Sequence, residues 1–397
     1  MTRPGRASEV FVAFLRLGLT SFGGPIAHLG YFRDELVARR RWVDDRVYAE
    51  LVALCQFLPG PASSQVGFAL GWQRAGVLGA LAAFVAFTLP SAALLVAFAA
   101  GAAVFGGPVG GGILSGLKVV AVAIVAQAVW GMARALAPDR RRAGIAVVAV
   151  ALATLLPGAP GQLGALALGA VAGPVLLHAD ADVDHGRLPG LGIPRPVGVA
   201  CLALAVLGLV GLPLLAASTG SGAVALADAF YRSGALVFGG GHVVLPLLDA
   251  AVVQPGWVGP DAFLAGYGAA QAVPGPLFSF AAYLGAVSQV GPGGVAGAAI
   301  ALAAIFLPGL LVLVGVLPFW DAWRGRPRVR AAMRGANAAV VGILAAALYA
   351  PVFVTAVTGP ASFVLALLGF VLLTVFRAPA WAVVLVGAAG GVVSVLL

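Results

Sequence analysis

The chain has 397 residues, of which 61% are hydrophobic and only 9% are charged, and its formal net charge is +9. Soluble globular chains carry roughly 25% charged residues, so this composition excludes a soluble domain and predicts a polytopic membrane protein. All basic residues except Lys118 are arginines, and we interpret the positive charge as a topology signal, not as a nucleic-acid-binding surface. Cys55 and Cys201 lie in apolar stretches, so neither a disulfide framework nor a thiolate metal site is predicted.

The first half of the chain begins with two apolar segments, near residues 9–30 and 47–74, that glycine and proline interrupt. The interruptions are Phe22-Gly23-Gly24-Pro25 and Pro59-Gly60-Pro61. Proline removes a backbone donor and clashes with the preceding turn, while glycine allows conformations that other residues avoid, so a helix must break at both places. The half-helices are too short to cross a hydrocarbon core of ~30 Å, which makes them candidate re-entrant hairpins. Four full spans are predicted after them, near residues 76–100, 116–135, 143–158 and 162–178.

A polar linker and an unpaired apolar span, together residues 179–217, separate the first half from the second. The second half again begins with interrupted segments, near residues 229–249 and 261–290. Four more spans are predicted near residues 294–317, 335–351, 361–376 and 379–396. We therefore divide the chain into a first repeat, 1–178, a linker with a connecting helix, 179–217, and a second repeat, 218–397.

The two halves resemble each other at a nearly constant offset. Residues 14–24 align with residues 230–240 at an offset of 216, and Gln56 with Pro59-Gly60-Pro61 aligns with Gln271 and Pro274-Gly275-Pro276 at 215. Residues 79–90 align with 297–308 at 218, and Gly116 and Lys118 align with Gly335 and Asn337 at 219. Transporters often carry such internal repeats. The offset drifts by only a few residues, so we interpret the halves as one duplicated unit.

The distribution of arginines predicts that the two repeats have opposite orientations. Loop 31–46 holds five arginines, whereas its counterpart, 250–260, holds none; loop 101–115 is uncharged, whereas its counterpart, 318–334, holds five. Basic residues collect in cytoplasmic loops. The arginine-rich loop of one half corresponds to an arginine-free loop of the other, which is the pattern that inverted topology requires. We predict an all-α polytopic membrane protein with two inverted-topology repeats of broken or re-entrant helices, joined by a linker helix. The amino end is then cytoplasmic.

Ionisable residues at membrane depth are costly, and the few that remain are functional candidates. Arg16 and Arg232 occupy equivalent places, six residues before each Phe-Gly-Gly, and a guanidinium offers a fork of donors suited to an oxyanion; alternatively, both extend to opposite interfaces. Lys118 has the neutral Asn337 at the equivalent position of the other repeat, which suggests a site that is not fully symmetric; alternatively, its side chain reaches the nearer membrane interface.

The breaks themselves predict a second kind of anion ligand. A half-helix that begins at a break points unpaired N–H groups and a partial positive charge into the site. Ser63, Ser64, Gln56, Gln271 and Ser279 could add hydrogen bonds. Our candidate substrate-binding residues are Arg16, Phe22, Gly23, Gly24, Gln56, Pro59, Gly60, Pro61, Ser63, Lys118, Arg232, Gly239, Gly240, His242, Gln271, Pro274, Gly275, Pro276 and Asn337.

Glu50 and Asp249, with His28 and His242, are candidates for proton coupling, or they are simply solvated at an interface. The sequence contains no metal-ligand spacing, nucleophile elbow or P-loop, so we predict neither an enzyme nor a cofactor, and no ATP-driven step.

At this point the residues resemble a known family. Phe-x-Arg-x-Gly-x-x-x-Phe-Gly-Gly-Pro at 14–25, Arg41-Trp42-Val43 and Gln56-x-x-Pro-Gly-Pro look like the amino-terminal half of the chromate ion transporter family. Gly239-Gly240-Gly241-His242 with Gln271-x-x-Pro-Gly-Pro looks like its second half, so the chain is similar to the long, two-domain members.

The resemblance implies efflux of chromate, a dianion similar to sulfate, across the bacterial cytoplasmic membrane, and hence chromate resistance. We expect a secondary transporter that works by alternating access, in contact with the lipid bilayer and not with nucleic acid; a homodimer is compatible with this. The alternatives are uptake or exchange of sulfate or another oxyanion, and an anion channel.

Overall fold

The structure is a computed structural model, which describes residues 5–102, 107–156, 158–177, 192–238, 241–323 and 326–396. In the first half and the connecting segment the helices are α1 (Ala7–Thr20), α2 (Gly24–Phe32), α3 (Asp45–Phe57), α4 (Ala62–Ala102), α5 (Gly107–Leu136), α6 (Arg140–Leu155), α7 (Ala159–Leu176) and α8 (Arg195–Thr219). In the second half they are α9 (Gly222–Ala235), α10 (Val244–Leu248), α11 (Pro260–Ala272), α12 (Phe280–Val287), α13 (Gly294–Val316), α14 (Trp320–Trp323), α15 (Pro327–Ala347), α16 (Val354–Ala356), α17 (Pro360–Thr374) and α18 (Ala380–Leu396).

The described part of the chain is all helical, and five helical stretches are long and apolar enough to cross a membrane. They are Ala62–Gly101, Val109–Leu136, Arg195–Thr219, Gly294–Phe319 and Pro327–Ala356. Shorter apolar helices occupy Pro160–Leu176, Pro360–Thr374 and Ala380–Val395, where full spans are also expected. Complete crossing by these shorter helices stays a prediction.

The predicted helix breaks are present. Thr20 ends α1 and Gly24 begins α2, with Gly23 and Gly24 at φ +97° and +78°, in the left-handed region that favours glycine. The chain breaks again between Phe57 and Ala62, between Ala235 and Gly241, and between Ala272 and Leu277. The long helix α4 bends at Gly76, whose φ of +64° separates a half-helix from the span after it.

Two predicted loops turn out to be partly helical. The chain from Arg33 to Arg39 continues α2 as a π-helical turn, and α15 begins at Pro327 and so takes in three arginines expected in the loop before residue 335. Proline is favoured in the first turn of a helix and arginine is a strong helix former, so the helix extends beyond its apolar part. The polar linker from 178 to 191 lies outside the described residues, as does Arg324.

The helices that carry the breaks pack together as a core bundle, which we define as α1–α4 and α8–α13. Helix α1 buries Val10, Ala13, Phe14, Leu17 and Gly18, the spacing of one helical face, against α4. A Cβ on Gly18 would lie 2.8 Å from the Ala86 carbonyl oxygen, so the two backbones touch. Helix α9 packs on α13 in the equivalent way, through Gly234 and the carbonyl of Ile305.

The remaining long helices form an outer bundle in which the two halves exchange partners. Helix α5, from the first half, packs on α17 and α18 of the second, and α15 packs on α6 and α7 of the first. Gly116 contacts Gly387, and at equivalent positions Gly335 contacts Gly169. Small residues allow this close approach, which is how membrane helices associate. The four helix breaks are therefore held in the core bundle, beside this intertwined outer bundle.

Candidate functional site

Two reciprocal backbone hydrogen bonds bring the four helix breaks together. The Gly60 N–H donates to the Val237 carbonyl oxygen at 2.8 Å, and the Gly275 N–H donates to the Ser21 carbonyl oxygen at 2.9 Å. Gly60 and Gly275 are equivalent in the repeat, and so are Ser21 and Val237. Each Pro-Gly-Pro is thus attached to the chain just before the Phe-Gly-Gly of the other half. We call this region, residues 21–24, 58–61, 237–238, 241–242 and 273–276, the junction.

Each Pro-Gly-Pro glycine also packs against a span of the other half. Gly60 and Gly275 have φ values of +114° and +106°. A Cβ on Gly60 would lie 2.9 Å from Gly309 Cα, and a Cβ on Gly275 would lie 2.8 Å from Ser91 Oγ. Ser91 and Gly309 are themselves equivalent. Two separate reasons therefore require glycine at these positions. The backbone has a conformation that L residues avoid, and a side chain would collide with the other half.

The chain after the first Phe-Gly also approaches the residues that follow the second Phe-Gly-Gly. A Cβ on Gly241 would lie 2.9 Å from Pro25 Cγ, and one on Gly24 would lie 3.8 Å from His242 Nε2. His242 Nδ1 lies 2.8 Å from the Tyr267 hydroxyl. Phe22 is half-buried, whereas Gly239 and Gly240 lie outside the described residues.

The two candidate arginines differ in their surroundings. Arg232, whose side chain is 49% exposed, forms a bidentate ion pair with Asp228, which is only 7% exposed, at 2.6 and 2.9 Å. Arg16 is exposed on α1 and forms no ion pair with any described residue, since the residue equivalent to Asp228 is Val12. Sequence reasoning missed Asp228, although its i, i+4 spacing to Arg232 was the available signal. Whether either arginine binds substrate stays a prediction.

Lys118 lies away from the junction and pairs with Asp261, with Nζ and Oδ1 2.8 Å apart. Asp261 is 74% exposed, at the start of α11, so the ammonium reaches toward the nearer end of the bundle. Asn337, at the equivalent place on α15, is half-buried.

The two acidic candidates are buried, each beside a donor. The Trp320 Nε1–H donates to Glu50 Oε1 at 3.2 Å, and Gln254 Nε2 donates to Asp249 Oδ2 at 3.2 Å. Glu50 and Asp249 are each 6% exposed. Their role in proton coupling stays a prediction.

Several polar atoms around the junction are buried and have no hydrogen-bond partner among the described residues. They are Ser21 Oγ, His28 Nε2, Ser64 Oγ, Gln65 Oε1, Thr88 Oγ1 and Gln271 Nε2. Buried polar groups are nearly always paired, so such a group calls for a ligand, a water or an ion. Sequence reasoning did not single out Ser21 or Thr88. No group of three or more His, Cys, Asp or Glu residues that could hold a metal occurs among the described residues.

Helix α3 and its equivalent, α11, differ in how they are covered. Helix α11 packs along α5, with Gly268 against the Leu117 backbone, and Gln271 is 9% exposed. The equivalent helix, α3, packs mainly on α4 and on the π-helical turn after α2, and its Ala53 and Gln56 are exposed. Gln56 is therefore exposed, whereas its equivalent Gln271 is buried.

Broken helices that meet inside an apolar bundle define a multi-pass membrane protein of the transporter class. The sequence profile of the chromate transporter family matches residues 8–174 and again 224–392, so the chain belongs to the chromate transporter family. It is a transporter family and not a family of enzymes.

Curated relatives agree with this assignment. The chain is 28% identical over 337 residues to a probable chromate transport protein of Synechococcus elongatus, covering 84% of this chain and 81% of the relative. It is also 28% identical to the chromate transport protein of Cupriavidus metallidurans, covering 85% and 81%, and 28% identical to that of Pseudomonas aeruginosa, covering 85% and 79%. No solved structure matches the chain.

Proposed function

We propose that the protein is a secondary carrier that exports chromate across the cytoplasmic membrane of a bacterium, with the junction as its substrate site. The observation that carries the proposal is the reciprocal pair of hydrogen bonds from Gly60 to Val237 and from Gly275 to Ser21. They bring a broken helix from each half to one place. Irregular backbone of this kind is tolerated at membrane depth only where it is buried or lines a cavity.

The helix termini at the junction suit an anion. Helix α2 begins at Gly24 and α4 at Ala62, both directly after a break. The first N–H groups of a helix have no partner within it and carry about half a positive charge, so they bind oxyanions without a nearby cation. This matters because Arg232 is already paired with Asp228.

An arrangement of two inverted repeats, 1–178 and 218–397 joined by 179–217, underlies the proposed transport cycle. The equivalent glycine contacts, Gly116 with Gly387 and Gly335 with Gly169, support a pseudo-two-fold relation, and the swapped arginine bias supports inversion. Inverted repeats permit alternating access because each half can adopt the conformation of the other.

The exposure of α3, compared with the covered helix α11, supports a state of that cycle in which the site is open to one side of the membrane. Gln56 is exposed at the end of α3, and a bare amide at membrane depth faces water in preference to hydrocarbon. We infer that the α3 side of the junction is open to water. On the predicted topology it faces the cytoplasm, while α5 and α11, held by Lys118 and Asp261, close the outside.

Export suits a dianion physically. With the interior negative, two charges that leave the cell gain roughly 4.6 kcal/mol per 100 mV, at about 2.3 kcal/mol per charge. Uptake of the same ion would need co-transported cations, for which Glu50 and Asp249 are the candidates. Sulfate or another oxyanion remains the alternative substrate, since its tetrahedral dianion has the same shape and charge.

Flux in proteoliposomes of defined orientation tests the proposal. We expect labelled chromate to leave the cytoplasmic side faster than labelled sulfate enters. In a counterflow measurement, unlabelled chromate on one side of the membrane should drive accumulation of labelled chromate on that same side. Counterflow of this kind requires a carrier, so its absence with persistent flux would identify a channel. Sulfate uptake without chromate export would overturn the assigned substrate and direction.

A further inference from the structure

The junction is symmetric in backbone but not in polarity. Gln56 and Ser64 have polar equivalents in the second half, but five other polar side chains of the first half have apolar ones. Ser21, His28, Ser63, Gln65 and Thr88 correspond to Val237, Val244, Phe278, Phe280 and Phe306 at the repeat offsets of 215 to 218. Ser64 corresponds to Ser279, whose hydroxyl already pairs with Ser91 Oγ at 2.6 Å. At these five positions the second half has apolar side chains, whereas the first half has polar ones.

Ser21 and Ser63 lie directly beside His28. The ring lies beside the Ser21 backbone, and its Nδ1 is 3.5 Å from Ser63 Oγ. Its edge meets the Phe87 ring at a centroid distance of 5.4 Å, and Thr88 is the next residue on α4. Ser21 and His28 are completely buried, and Thr88 is 2% exposed.

The polar side chains near His28 differ from an ordinary buried serine because they have no hydrogen-bond partner among the described residues. Ser233, for example, is 3% exposed and donates to the Ala229 carbonyl one turn earlier. By contrast Ser21 Oγ, Ser64 Oγ, Thr88 Oγ1 and His28 Nε2 are buried, and no described residue lies within hydrogen-bond distance of them. Ser64 also lies in the first turn of α4, where the backbone N–H groups are free of intrahelical partners.

We propose that Ser21, His28, Ser64 and Thr88 form a one-sided subsite that hydrogen-bonds a dehydrated tetrahedral oxyanion at the α4 N-terminus. This inference rests on the proposed function and adds the residues that select the ion. Hydroxyl and imidazole donors replace the hydration shell of the ion, and the helix terminus offsets its charge. Because Ser21, His28 and Thr88 have apolar equivalents in the second half, one ion binds per chain, off the pseudo-two-fold axis.

The test compares Thr88→Val, which keeps the shape of the side chain, and the double variant Ser21→Ala with Ser64→Ala, against Ser233→Ala as a matched control. Purified protein is titrated with sulfate and with chromate, and binding is read from the rise in melting temperature. We expect about tenfold weaker binding of both ions for each donor lost, with the control unchanged. Equilibrium dialysis with labelled sulfate should give one ion per chain.

The outcomes separate this inference from the proposed function. Wild-type affinity in both test variants, or two ions per chain, would overturn the subsite, while transport by the wild-type protein would still stand. If the wild-type protein binds and transports no oxyanion, the proposed function itself fails. Should the double variant not fold, Thr88→Val alone decides, because it removes only one oxygen from a buried side chain.

Discussion

Gly60→Ala tests whether the Pro-Gly-Pro break needs glycine for its backbone or for its contact with the other half. Gly60 has a φ of +114°, and a Cβ there would lie 2.9 Å from Gly309 Cα, which is closer than two carbons approach in real proteins. A residue other than glycine held in a sparsely populated conformation costs about 1–3 kcal/mol. The Cβ would also push the two chains apart and weaken the bond from Gly60 to Val237, which is 2.8 Å long, for a further ~1 kcal/mol.

Gly76→Ala is the matched control, because it shares the strain without the contact. Gly76 has a φ of +64°, and nothing lies within 4 Å of a Cβ placed there. Gly30→Ala serves as a second control, with open space and a helical backbone. We expect Gly30→Ala to be neutral, Gly76→Ala to lose about 1–3 kcal/mol, and Gly60→Ala to lose about 2–4 kcal/mol.

The assay combines thermal unfolding of the purified protein in detergent with chromate flux in proteoliposomes. Gly60→Ala should lose transport even at temperatures where it is fully folded, because the junction is displaced. Gly76→Ala should transport at the wild-type rate while it is folded. If the two variants have the same melting temperature and the same flux, the contact between Gly60 and Gly309 does not hold the junction, and the reasoning is refuted.

Arg16→Ala and Arg232→Ala should both abolish chromate flux, but only Arg232→Ala should lower the melting temperature, because it leaves the buried Asp228 carboxylate unpaired at a cost of about 1–3 kcal/mol. Wild-type flux in both variants would remove the arginines from the site. A disulfide between Ala53→Cys and Ala336→Cys should form only after turnover with chromate, since these positions are equivalent to Gly268 and Leu117 and should meet when the α3 side closes. Equal cross-linking without substrate would count against alternating access.

The cross-linking experiment needs a background without the native thiols. Cys55 and Cys201 are both free, so each is first replaced by alanine. Flux through the alanine background must match that of the wild-type protein. A reducing agent should restore flux to the cross-linked protein, which shows that the bond and not misfolding stopped the cycle.

Local chemistry made the helix breaks predictable. The prolines around Gly60 and Gly275 cannot continue a helix in any environment, so their effect is the same in the isolated sequence and in the fold. The internal repeat and the alternation of apolar spans with arginine-rich segments could be read in the same way. Helix ends beyond the apolar core were less predictable, as at Arg328, because charged residues that favour helix allow it to extend into water.

Partners of charged side chains could not be predicted, because they depend on which helices become neighbours. Lys118 pairs with Asp261 across 143 residues of chain, and no local pattern connects them. The same holds for Trp320 and Glu50, which lie 270 residues apart. The two equivalent arginines also differ in their partners, since only Arg232 has an acidic residue one turn before it.

The sequence by itself determined that this is an all-helical membrane protein with duplicated breaks, because hydropathy and proline geometry act over a few residues. Only the tertiary structure decided that each Pro-Gly-Pro bonds to the break of the other half, through Val237 and Ser21. It also decided that the unmet donors around His28 lie on one side of the junction. Hydrogen bonds and burial are set by residues distant in the chain, and for that reason they appear only once the helices have packed.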